Sequence, residues 1–149
     1  MREVFINFFM KNHILSVTVA AWAFTQTVKV TLGVIREKKF NFRWFIGTGG
    51  MPSSHAAGAT ALALSSGLEL GFSSPVFALA FVFAIVTMFD AQGVRRSAGE
   101  QAEILNKILE DIYFQGKIKE GKVRELLGHT PIQVLAGSII GALIAIALY

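Results

Sequence analysis

The chain has 149 residues, of which 53% are hydrophobic and only 16% charged, with a mean hydropathy of +0.54 and a net charge of +4. An ordinary soluble domain carries roughly 25% charged residues, so the composition points to a single membrane domain over residues 1–149. The sequence contains no cysteine, which excludes disulfide scaffolds, thiol nucleophiles and cysteine-ligated zinc.

In chain order, the first 13 residues are followed by no small-residue cleavage site, and the N-terminus is expected to be retained. Residues 14–35 carry one charge, Lys29, about one and a half turns from the end, where a lysine either snorkels to the interface or serves the function. A basic connection follows, with Arg36, Lys38, Lys39 and Arg43. Residues 55–71 are rich in Ala, Leu and Gly but contain Ser65, Ser66 and Glu69. They are read as a span because the short connection Gly71 to Ser74 implies a tight hairpin with the uncharged run 72–89. In the long connection from Asp90 to Thr130, Ile104, Leu105, Ile108, Leu109 and Ile112 share one helical face, opposite Glu103, Lys107, Glu110 and Asp111. Gly116 ends that helix, and a second one over about 119–127 runs to Gly128, making a hairpin over 97–128. This hairpin is expected on the membrane surface or against the ends of the spans. The final stretch 131–149 has 19 residues and no charge, close to the roughly 20 that cross a bilayer as a helix. The expected fold is therefore all-α, an integral membrane bundle of about four transmembrane helices with an amphipathic cytoplasmic helical hairpin.

Eleven of the 14 Lys and Arg residues fall in the two connections 36–53 and 90–130, which two spans place on the same side. By the positive-inside rule that side is cytoplasmic and both termini lie opposite. The basic clustering is thus read as orientation in a membrane, with no nucleic-acid partner.

The densest chemical signal is Gly47-Thr48-Gly49-Gly50-Met51-Pro52-Ser53-Ser54-His55, directly before an Ala-rich helix. Three glycines admit close backbone approach, and Pro52 with the serines starts a helix whose free N–H groups and dipole favour an anion. His55, in the first turn, is placed to donate a proton to a group bound there. On the same predicted side stand Arg36, Arg43, Arg95, Arg96 and His129, and an arginine fork binds two phosphate oxygens at once. His13 falls on the other side and has no role. No pair of His or carboxylate residues has the helical spacing of a zinc or di-metal site, so neither a metal nor another cofactor is expected.

Pro52-Ser53-Ser54-His55 resembles the Pro-Ser-Gly-His motif of the type 2 phosphatidic acid phosphatase superfamily, membrane phosphatases related to vanadium haloperoxidases. Together with Asp90-Ala91-Gln92-Gly93-Val94-Arg95-Arg96 and Gly128-His129-Thr130-Pro131, the string is similar to the superfamily's small divergent bacterial and plant branch, over about residues 29–141. The resemblance implies that Ser53 and Ser54 bind phosphate, that His55 is the general acid, and that His129 is the nucleophile at the start of the last helix. The superfamily's aspartate, four residues after that histidine, is Gln133 here, and Val123 stands where its arginine would be. Arg95 or Arg96 then fills the arginine position, and Asp90 is the candidate carboxylate partner of His129, with a salt bridge to Arg95 or Arg96 as the alternative. The superfamily's first motif, a lysine six residues before Arg-Pro, is matched in spacing both by Lys29 with Arg36 and by Arg36 with Arg43, neither followed by proline.

What the resemblance implies is a phosphoric monoester hydrolase. It would act without metal on a lipid phosphate through a phosphohistidine, at the cytoplasmic face of a bacterial cytoplasmic membrane. Its other partners would be membrane lipids and, through the small-residue pair Gly137 and Gly141, a second copy of the chain. A non-catalytic membrane protein that binds lipid phosphate, and a small transporter subunit, are the other classes the sequence admits. Gln133 favours the first of these. The second would show as paired inverted repeats, which the sequence does not display.

Overall fold

A computed structural model describes residues 11–38, 50–93, 99, 101–109 and 129–149. Arg43, Arg95, Arg96 and the second helix of the expected hairpin lie outside the described residues. The regular structure of those residues is helical throughout: α1 His13–Glu37, α2 Ser54–Leu70, α3 Pro75–Gln92, α4 over 101–109 and α5 Pro131–Leu148.

Local chemistry sets the ends. Asn12, Ser53, Ser74 and Thr130 each cap a helix by accepting a backbone N–H from the first turn, and Pro75 and Pro131 open α3 and α5, where a missing N–H costs nothing. α1, α3 and α5 are long and apolar enough to cross a membrane. α2 is shorter and carries Ser65, Ser66 and Glu69, yet it is the most buried helix, with α1, α3 and α5 all packed on it. Its small and polar residues suit its position, because a helix sheathed by three others has little need of a lipid-facing surface.

The packing pattern is inverted relative to a water-soluble bundle. The buried positions are small (Ala56, Ala57, Ala61 and Ala63 on α2, Ala80, Ala84 and Ala91 on α3, Ala145 on α5), while Phe81, Phe83 and Phe89 of α3 and Ile132, Ile139 and Ile146 of α5 are exposed. Small residues at the contacts and large apolar residues on the outside are what a bilayer selects, since lipid gives no hydrophobic drive between helices. α5 runs parallel to α2 in close contact. A Cβ at Gly137 would overlap the Ser53 carbonyl, and one at Gly141 would overlap the Ala57 carbonyl. Gly141→Ala is therefore expected to lower stability by about 1–3 kcal/mol in detergent unfolding, whereas Leu143→Ala on the exposed face of α5 stays near the parent.

α1 is antiparallel to α2, with Trp22 against Gly58 and Lys29 against Gly50. At one end of the bundle the His13 ring packs on Tyr149 at 4.4 Å between centroids, and the Tyr149 hydroxyl donates to Glu69. At the other end meet α1 around Lys29, the last turn of α3 and the first turns of α2 and α5.

α4 has the two faces that its spacing implies. Its buried residues are Ala102 and Asn106, and Ile104, Leu105 and Ile108 face outward, with a Glu103–Lys107 pair at 2.8 Å. Helical spacing identified two faces, but the face with small side chains is the packed one, as on α2 and α3.

Candidate active site at one end of the bundle

The glycine-rich segment enters α2 through Gly50, whose φ of +85° is open to glycine and strained for other residues. A side chain there would also press on the Lys29 stem, because an added Cβ would lie 3.3 Å from Lys29 Cδ. Lys29 is buried in spite of its charge, and it continues the α1 face formed by Val17, Ala21 and Thr25 at four-residue spacing. The glycine thus lets a lysine stem from inside the bundle lie against the loop that starts α2.

Ser53 is fully buried at the junction. Its hydroxyl accepts the Ala56 N–H at 3.3 Å as N-cap, and its own N–H donates to the Gln133 carbonyl at 3.0 Å. That second bond fixes the start of α2 against the first turn of α5. Ser54 is buried beside it, and His55 follows in the first turn, half-buried.

α5 is anchored at its start in the same way. The His129 N–H donates to the Ala91 carbonyl at 3.0 Å, which ties the segment to the end of α3. Thr130 and Gln133 form a reciprocal capping box in which the Gln133 Oε1 accepts the Thr130 N–H at 3.1 Å. The same Oε1 lies 3.1 Å from His129 Nδ1. A backbone N–H can only donate, so the oxygen of the Gln133 amide, not its nitrogen, occupies this point. His129 Nδ1 must therefore carry a proton, and in the neutral ring the lone pair sits on Nε2. His129 is 2% exposed, and its ring centroid stands 6.1 Å from that of His55, with the planes tilted by 57°.

The structure thus brings Lys29, Ser53, Ser54, His55 and His129 to one end of the bundle, from three helices. Asp90 is in the last turn of α3, exposed, one residue before the Ala91 carbonyl that holds His129. The contact at His129 Nδ1 just described is with Gln133. Arg36 is exposed in the last turn of α1, nearly two turns beyond Lys29. Two further polar residues of α1, Thr25 and Gln26, are buried, and neither carries a charge that would mark it within an apolar span. The four-residue spacing from Thr25 to Lys29 would have revealed the first of them. Among the described residues no group of three His, Asp or Glu side chains assembles as a metal site.

The chain matches the family model described as "Divergent PAP2 family" over residues 10–144. It is 41% identical over 150 residues to the "Uncharacterized membrane protein YuiD" of Bacillus subtilis (strain 168), an alignment covering 93% of this chain and 95% of that relative. No solved structure matches it.

Proposed function

We propose that the chain, which belongs to the divergent PAP2 family and is an integral membrane protein, is a phosphatase that hydrolyses a lipid phosphate through a histidine nucleophile. The observation that carries this reading is the Gln133 amide, which fixes the His129 tautomer with its nucleophilic nitrogen free of the ring proton, beside His55. A family aspartate at this place would orient the ring and stabilise the imidazolium. Glutamine does the first of these and not the second.

In this mechanism His129 Nε2 attacks phosphorus in line as the bond to the leaving oxygen breaks. His55 gives its proton to that oxygen, releasing the lipid alcohol and leaving a phosphohistidine. Water then attacks phosphorus and passes a proton to His55. The P–N bond breaks, inorganic phosphate leaves, and both histidines return to their starting states. Lys29, with Arg43 and Arg95 or Arg96 from the flanking segments, would balance charge on the equatorial oxygens. The positive-inside rule applied to the basic connections supports a cytoplasmic position for this end of the bundle.

The missing carboxylate also supports a second reading, a membrane protein that binds lipid phosphate without turnover. Phosphate release from a lipid phosphate by purified protein in detergent, with a chelator present, separates the two. Release supports the phosphatase, and saturable binding without release supports the binding protein. Gln133→Leu removes the acceptor at Nδ1 and is expected to lower turnover by about 10–100-fold, the usual weight of a residue that orients another. Gln133→Glu keeps the acceptor and the cap, and is expected to retain or exceed the parent rate.

A further inference from the structure

A groove of about 280 Å³ runs along α2 between α1 and α3, starting at Ser54 and His55 and passing Gly58 and Ala59. Trp22 and Phe83 form its side walls. At 1.5 Å rise per residue, the α2 floor from Ser54 to Ala59 is roughly 7–8 Å long. Thr18 and Thr87 also line it, but their hydroxyls donate to the carbonyls of Ile14 and Phe83, both at 2.8 Å, and so present methyl groups. Beyond His55 the wall is hydrocarbon apart from the Trp22 indole N–H. The groove opens between two helices whose outer faces are large apolar side chains.

We infer that this groove takes the single hydrocarbon chain of an alkyl or isoprenyl phosphate monoester, with the chain's first carbons directly beyond His55. This rests on the reading of His55 and His129 as the phosphate site. With the phosphate between the histidines, the carbon attached to the leaving oxygen enters the apolar groove at once. A chain that is hydrocarbon from its first carbon fits this wall. A diacylglycerol phosphate would instead place a branched glycerol and its ester oxygens there, against one indole donor and a floor of Gly58 and Ala59. The groove also lies below the roughly 300–1,000 Å³ of a pocket that encloses a whole drug-sized ligand, and it suits one chain segment rather than two. Gly58 keeps it open: a Cβ there would stand 3.6 Å from Trp22 Cβ, an ordinary contact, so the backbone tolerates a side chain whose bulk must then occupy the groove.

The test compares three substrates on the full-length protein in detergent: dodecyl phosphate, dioleoyl phosphatidic acid and the chainless nitrophenyl phosphate. Dodecyl phosphate is expected to exceed the diacyl lipid by about ten-fold or more in kcat/KM, the scale of hydrophobic pocket discrimination. Gly58→Leu should lower the ratio of dodecyl to nitrophenyl phosphate kcat/KM by about ten-fold, chiefly through KM. Thr87→Phe, which fills the groove from the half-buried rim of α3, should do the same if Gly58→Leu does not fold. Leu143→Phe on the exposed face of α5 should leave the ratio unchanged. Equal or better use of the diacyl lipid, or an unchanged ratio in the filled variants, would overturn the assignment.

A binding readout keeps the inference testable without turnover. In a Trp44→Phe background, Trp22 is the remaining tryptophan. A dibrominated alkyl phosphate should quench it saturably at low mole fraction, and Gly58→Leu should reduce the quenching to that of dibrominated phosphatidylcholine. Quenching that never exceeds the phosphatidylcholine level in the parent would remove the groove as a chain site. Saturable quenching with no phosphate release would keep the groove and reject the phosphatase.

Discussion

His129→Ala protein is expected to release no phosphate above background from any phosphate monoester, while still binding inorganic phosphate within a few-fold of the parent. Where the nucleophile acts as a unit with its neighbours, its loss costs on the order of 10⁶ in kcat. Binding should survive because, in the proposed mechanism, the cationic side chains and the start of α2 hold the oxygens and His129 supplies only the attacking lone pair. The substitution should leave the capping box intact, since the Gln133 Oε1 keeps the Thr130 N–H. A folded but inactive variant is therefore the expected outcome. The covalent step has its own signature. Rapid mixing with a labelled alkyl phosphate should yield protein-bound label that survives base and is lost in acid, as a phosphohistidine is, and His129→Ala should show none. Residual turnover of His129→Ala within ten-fold of the parent would end the covalent mechanism.

The ends of the helices were legible in the sequence because they are local. Ser53 and Thr130, with Pro75 and Pro131 just inside the starts, are side-chain chemistry acting within one turn. α2 was legible only indirectly, through the short connection to α3. Its own serines and Glu69 argue against a lipid-facing helix, and in the structure three neighbours shield it. The period of α4 showed that it had two faces, but the choice between them depends on what lies opposite. In this bundle Ala102 and Asn106 are buried and the aliphatic residues are not. The sequence was least informative about Gln133. As a letter it marks a missing negative charge. In the structure one oxygen accepts from both the Thr130 N–H and the His129 ring, so helix capping and tautomer selection are a single interaction. The juxtaposition of His55 with His129 could not come from spacing. It depends on α5 running parallel to α2 with Gly137 level with Ser53, so that α5 begins before α2, held by the Ser53 N–H on the Gln133 carbonyl and by the two glycines that let the backbones touch.

His55→Ala should discriminate between substrates in a way that His129→Ala does not. As general acid, His55 matters in proportion to how poorly the leaving oxygen departs without a proton. An alkoxide needs one, so the variant is expected to lose roughly 10²–10⁴-fold on dodecyl phosphate, the usual range for a positioned acid. A nitrophenolate leaves readily by itself, and phosphoryl transfer from nitrophenyl phosphate should fall far less. The second step supplies an independent check. Hydrolysis of the phosphohistidine uses His55 as base toward water, so with nitrophenyl phosphate the variant should phosphorylate quickly and turn over slowly. It should show a burst of nitrophenol close to one equivalent, with label accumulating on the protein. The parent, with both steps assisted, should show no comparable burst. The 6.1 Å between ring centroids allows this division of labour, since one phosphate group can reach both rings while neither needs to move between the two steps. A loss of equal size on the alkyl and aryl esters, with no burst, would reduce His55 to a residue that binds the phosphate. Proton delivery to the leaving oxygen would then have to come from elsewhere in the site.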